Sequence, residues 1–241
     1  MASVFGRMEI LSDPHALARR VAEWFTDTVC ALPGTLRVAL SGGSTPKELY
    51  TLLAGAPFVG RIPWGRLEFF WGDERFVPHD DPASNYRMTR EALLSRAPIT
   101  DEHVHPVPFR GTPAEAASEY ESLLKRIYGA EQLDPARPLF DIQFLGLGAD
   151  GHTASLIPGQ PVLDEREHWV ASVTSGRAEA RITLSYPAIE SSRTIAFLVA
   201  GAEKASALEG ARAGDRNLPA ARIEPRGEVI WFVDRAAAGT D

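Results

Sequence analysis

Cysteine is almost missing from this chain: Cys30 stands alone among 241 residues, so no internal disulfide is available. Cys30 also falls within a helical apolar pattern, which predicts a buried, inert thiol rather than a nucleophile. Nowhere do about 18 to 20 apolar residues run together, and no early segment has the basic start, apolar middle and small-residue cleavage site of a secretory signal. A cytoplasmic protein that makes no use of a membrane is the expectation. Positive charge is in deficit too. The net charge of −7 offers no basic face of the kind nucleic-acid binding uses, although a few converging Arg and Lys can still hold a small anion. No G-x-S-x-G nucleophile elbow occurs, which excludes that route to covalent catalysis. His103 and His105 have no evident third partner, so they read as a surface pair and not as metal ligands.

What is present is a rhythm of short apolar runs alternating with amphipathic helices. Strands are expected over Leu36–Leu40, Leu67–Trp71, Phe140–Leu145, His168–Val173, Arg181–Leu184, Arg193–Ala200 and Glu228–Val233. Helices are expected over Asp13–Leu32, Lys47–Ala54 and Asn85–Ser95, and from Thr112 to about Tyr128, with a short helical turn at Leu218–Arg222. Ser84 suits a cap, and Thr112 with Glu115 suits a capping box. This order predicts an α/β fold: a doubly wound, mostly parallel, Rossmann-like sheet flanked by helices. One domain over residues 1–241 is the simpler organisation, with room for a small subdomain near 160–190.

Four of the expected strands end in polar, glycine-bearing loops: Ser41-Gly42-Gly43-Ser44-Thr45-Pro46, Gly72-Asp73-Glu74-Arg75, Gly148-Ala149-Asp150-Gly151-His152, and Gly201-Ala202-Glu203-Lys204. In a parallel sheet such ends share one edge, where α/β proteins keep their ligands. Gly42 and Gly43 before a helix suit a phosphate cradle and an ordinary βα turn equally, and no Lys follows them at the Walker offset. Gly146-x-Gly148-x-x-Gly151 matches the dinucleotide fingerprint, but Asp150 would face the pyrophosphate and no acid ends a following strand at the usual distance, so a nicotinamide cofactor is rejected. His152, in a glycine loop beside an acid, suits proton abstraction from water.

The segments LSGGSTPKELY, WGDERFVPHDDPASNYRM, FLGLGADGHTASLIPG, RITLSYPAI and FLVAGAEKASAL together resemble the glucosamine-6-phosphate isomerase and 6-phosphogluconolactonase superfamily, lactonase branch, from about Leu36 to Asp234. The resemblance implies a carboxylic ester hydrolase that opens 6-phospho-D-glucono-1,5-lactone to 6-phospho-D-gluconate in the oxidative pentose phosphate pathway. No metal or cofactor is implied, and a monomer is. It further implies that His152 is the general base, Asp150 the acid that orients or polarises the site, and Arg75 a holder of substrate or of the developing oxyanion. Gly42, Gly43, Ser44 and Thr45 would form the sugar-phosphate loop, Asp73 would face the sugar, and Arg181 and Lys204 would bind phosphate. In the deaminase branch a glutamate precedes the proline after the histidine, and a tyrosine tends to stand at the position of Arg75. Here Ile157 takes the glutamate's place, which disfavours glucosamine-6-phosphate deamination. A noncatalytic phosphosugar sensor would keep the phosphate loop but has no need of Asp150 and His152.

Overall fold

In the computed structural model, which describes residues 6–240, chain order is β1 (Arg7–Leu11), α1 (Pro14–Ala31), β2 (Leu36–Leu40), α2 (Ser44–Leu53), β3 (Leu67–Trp71), β4 (Asp73–Arg75), α3 (Asn85–Thr89) and α4 (Pro113–Tyr128). There follow β5 (Phe140–Leu145), β6 (Val170–Val173), β7 (Arg181–Leu184), α5 (Tyr186–Glu190), β8 (Ser192–Val199), α6 (Ala205–Ala213), β9 (Glu228–Asp234) and α7 (Arg235–Ala238). Six strands form one sheet in the order β1-β9-β8-β5-β2-β3, and every neighbouring pair is parallel. From the adjacent pair β2 and β5 the chain winds outward in both directions, to β3 on one side and through β8 to β9 on the other. That reversal is the switch point at which α/β sheets open a crevice beyond their strand ends.

Sheet burial explains the sequence pattern. β5 and β8 carry apolar side chains on both faces because helices cover both faces. On one side Trp24 and Phe25 of α1 pack on Phe144, and Trp24 also on Phe232. On the other, Phe197 and Trp231 lie in register across β8 and β9 and stack with ring centroids 3.9 Å apart. Cys30 is exposed, not buried as its neighbourhood suggested. Its neighbour Val29 takes the core-facing position, and one step of about 100° turns Cys30 outward, where its thiol donates to the Arg61 carbonyl at 3.4 Å.

Local signals placed the helix ends well. Asp13 caps α1 by accepting from the Ala16 amide at 2.8 Å, and Thr112 with Glu115 forms a complete capping box on α4. We expect Thr112→Ala to cost about 1 kcal/mol of stability with no change in activity, as read by urea unfolding. The helix expected over Asn85–Ser95 is α3 followed by a π turn at Arg90–Leu94, and the one expected from Lys47 begins three residues earlier, at Ser44.

The largest departure concerns residues 73–75, expected as a loop. β4, β7 and β6 make a separate antiparallel sheet, so the two later strands do not extend the parallel sheet and Asp73–Arg75 is a strand, not a loop. β4 follows β3 after the single residue Gly72, whose amide donates to the Leu40 carbonyl at 2.8 Å. The chain thus turns from the parallel sheet onto the small one, which stands over the switch point as a side wall. Among the described residues no helix is long and apolar enough to cross a membrane.

Candidate functional site

The loops after β2, β3, β5 and β8 meet because those strands are neighbours in the sheet. They enclose a cavity of about 300 Å³ lined by Gly42, Gly43, Ser44, Thr45, Asp73, Arg75, His152, Arg181 and Lys204, together with Asn85 and Glu203. Of the catalytic and substrate-binding residues that the resemblance implied, all line it except Asp150, which contacts the His152 ring. A larger groove between α4 and β6 contains none of them.

Two buried tyrosines hold the floor. The Ser41 amide donates to the Tyr50 hydroxyl at 3.0 Å, which in turn donates to the Ser41 carbonyl at 2.9 Å. Tyr120 clamps Trp71 in the same manner, accepting from its amide at 2.8 Å. Burial pushes both phenols well above their usual range, so they remain neutral donors. They fix the ends of β2 and β3, from which the cavity loops depart. Gly42 must lack a side chain: a Cβ there would lie 2.0 Å from Asn85 Oδ1. Gly43 is the residue before α2, at φ +109, and supplies no side-chain cap. The first-turn amides of α2 are therefore open toward the cavity, as an anion would require.

Asp73, Glu74 and Arg75 alternate in direction, as strand residues do. Glu74 turns inward and accepts from the amides of Arg75, Asn85 and Tyr86 and from the Ser84 hydroxyl. Its role is to anchor the start of α3. Burial raises its pKa, and those four donors work in the opposite direction. Asp73 accepts from the Ser155 hydroxyl at 2.7 Å, which ties β4 to the loop after β5. Arg75 lies directly across from Arg181 in the ladder. Like charges so placed repel unless an anion shares them. Both have a buried Nε with no hydrogen-bond partner. Burial first, and then the Arg75 charge, push the Arg181 guanidinium below its ordinary pKa. Arg75, Arg181 and Lys204 line one cavity, a combination of cations that suits a multiply charged oxyanion.

His152 is set by its loop. The Gly148 amide donates to the His152 carbonyl at 2.8 Å and the Gly151 amide to the Gly148 carbonyl at 2.9 Å, with Gly151 at φ +78. The following Thr153–Leu156 segment is a compact turn, not a helix, with Ala154 at φ +48. The ring Nδ1 lies 2.5 Å from Asp150 Oδ1. Burial acts upward on the Asp150 pKa. The hydrogen bonds from the His152 ring, from Arg177 and from the His152 amide outweigh it and hold this carboxyl well below the usual carboxylate range. An ionised carboxylate accepts only, so the tautomer that satisfies it is the one with its proton on Nδ1 and its lone pair on Nε2. Gly148 leaves the space this needs, since a Cβ there would lie 2.0 Å from Nδ1. Gly148→Ala should leave unfolding unchanged but lower kcat by about 10²-fold, because it displaces the His152 ring by an ångström or more. Steady-state kinetics beside a thermal melt will check this.

Of the other histidines, His103 and His105 are partly buried and not a free surface pair. His105 stacks on Phe70 with centroids 4.6 Å apart.

Residues 12–231 match the family described as glucosamine-6-phosphate isomerases/6-phosphogluconolactonase. The chain belongs to this family. It is 41% identical over 238 residues to the 6-phosphogluconolactonase of Synechocystis sp., covering 96% of each chain. To that of Nostoc sp. it is 38% identical over 242 residues, covering 97% of each. The solved structure of 6-phosphogluconolactonase from Trypanosoma cruzi aligns with a TM-score of 0.84 at 30% identity, over 98% of this chain and 97% of that one.

Against this family background Ile157 is informative. It is buried in the apolar core and brings no carboxylate to the cavity. Arg177 is a residue that sequence patterns did not single out. Its guanidinium donates to Asp150 Oδ2 at 2.7 Å, and the Ser-Gly-Arg-Ala-Glu stretch that carries it reads locally as nothing but a turn. Asn85 was likewise read only as a helix start, although its side chain packs under Gly42 and donates to the Asp73 carbonyl at 2.9 Å.

Proposed function

We propose that this chain hydrolyses 6-phospho-D-glucono-1,5-lactone to 6-phospho-D-gluconate, with His152 as general base. The observation that carries the reading is one histidine, its Nδ1 committed to an ionised carboxylate, lining a cavity shared with Arg75, Arg181 and Lys204. In the reading, the substrate phosphate binds Arg181, Lys204 and the amides and hydroxyls of Ser44 and Thr45, and Asp73 accepts from a sugar hydroxyl. A water molecule adds to the lactone carbonyl carbon as Nε2 of His152 removes its proton, and the carbonyl oxygen becomes an oxyanion beside Arg75. Collapse of the tetrahedral intermediate breaks the bond to the ring oxygen. That oxygen takes the proton back from the imidazolium, and the product acid leaves ionised. Asp150 stays charged throughout and stabilises the imidazolium.

The deaminase reading is less well supported because the position of the ring-opening glutamate is filled by Ile157. A sensor has no use for the Asp150–His152 pair. The deciding assay follows hydrolysis of freshly generated lactone by coupling to 6-phosphogluconate dehydrogenase, against the spontaneous rate. Acceleration without ammonia release from glucosamine 6-phosphate is the expected result. Ammonia release without lactone hydrolysis would overturn it.

A further inference from the structure

The loop joining β6 to β7 carries an arginine that reaches the catalytic pair without lining the cavity. Nη2 of Arg177 lies 2.7 Å from Asp150 Oδ2 and 3.3 Å from His152 Nδ1. Asp150 is therefore held at both oxygens, with Oδ1 on the histidine and Oδ2 on the arginine. The carboxylate needs that second hold. Its side chain is 42% exposed, and among the described residues its other hydrogen-bond donors are the His152 ring and amide. A singly held, solvent-facing carboxylate rotates, and each rotation releases the ring proton that keeps Nε2 free.

The loop is built to deliver this arginine. Ser175 donates to Gln160 Oε1 at 2.6 Å, which fastens the loop to the segment following the His152 turn. Gly176 adopts φ +81, and a Cβ on it would lie 2.7 Å from Gln160 Nε2, so the backbone passes close against that side chain. Nη1 of Arg177 donates to the Gly176 carbonyl at 2.9 Å, which curls the side chain back toward Asp150.

We propose that Arg177 is a positioning residue for the hydrolysis: it locks the Asp150 carboxylate so that Oδ1 is reserved for the His152 Nδ1 proton and Nε2 stays the basic nitrogen. This rests on the lactonase reading for its kinetic consequence but not for its structural one. Because Arg177 does not line the cavity, the effect belongs to kcat and not to substrate affinity.

The test compares wild type, Arg177→Met and Arg177→Lys. Arg177→Met should lower kcat by about tenfold or more while KM stays within about twofold, and Lys should recover a large share because it restores the cation at similar reach. In isotope-labelled protein without substrate, the ring-nitrogen shifts of His152 should report a proton on Nδ1 in wild type and a mixture of tautomers in Arg177→Met. Unchanged kcat, a loss borne entirely by KM, or an unaltered tautomer would each overturn the proposal. Should wild type fail to accelerate lactone hydrolysis, the lactonase reading falls, while the tautomer measurement still decides the role of Arg177.

Discussion

His152→Ala is expected to lower kcat for lactone hydrolysis by about 10²- to 10⁴-fold, with binding of 6-phosphogluconate retained within about twofold. The range follows from what the imidazole supplies. In the proposed mechanism it removes a proton from water as the carbon–oxygen bond forms, and water unaided is a poor nucleophile even toward an activated ester. Affinity should survive because in the proposed mechanism the anionic end is bound by Arg181, Lys204 and the α2 amides, which line the cavity independently of the His152 ring. The other carboxylates lining the cavity are poorly placed to substitute. Asp73 already accepts from Ser155, and Glu203 sits 3.7 Å from Lys204. Isothermal titration with product, beside the coupled assay, separates binding from chemistry. A variant whose kcat stays within threefold of wild type would remove His152 from the mechanism and turn attention to Asp73.

The parts of this site that could be read from sequence are those whose physics is local. A buried strand ending in glycine announces a loop at the sheet edge, and four such ends placed nearly every cavity residue before their neighbours were known. The capping box on α4 was legible for the same reason, since both partners lie within one turn. What escaped depends on distant chain. Asp73–Arg75 has a composition that disfavours strands, and it is extended only because β7, more than a hundred residues later, pairs with it. The edge strand β1 exists through its pairing with β9, at the far end of the chain. Tyr50 and Tyr120 fall inside expected helices with no local mark of their role, although their hydroxyls clamp two strand ends. Cys30 shows the opposite failure, where a correct helix still gave the wrong face because one residue of phase separates buried from exposed.

The contact between Arg177 and Asp150 gives Asp150→Asn a consequence that simple loss of charge does not. An asparagine side chain has one oxygen and one NH₂ group. Arg177 offers only donors, so it will take the oxygen, which turns the NH₂ toward His152 Nδ1. Nδ1 must then accept, the ring proton moves to Nε2, and the nitrogen facing the water can no longer remove a proton. We expect kcat to fall roughly 10²-fold or more although the geometry is preserved and the substitution is nearly isosteric. The same reasoning predicts that a second substitution repairs part of the damage. In Asp150→Asn with Arg177→Met the only remaining claim on the amide oxygen is from the His152 amide on the Oδ1 side, so the side chain can rotate its oxygen there, accept the Nδ1 proton and release Nε2. The double variant should therefore be faster than Asp150→Asn alone, even though Arg177→Met slows the wild-type background. Independent contributions would instead multiply the two losses. A double variant slower than Asp150→Asn would show that Arg177 and Asp150 do not act on His152 through one shared orientation.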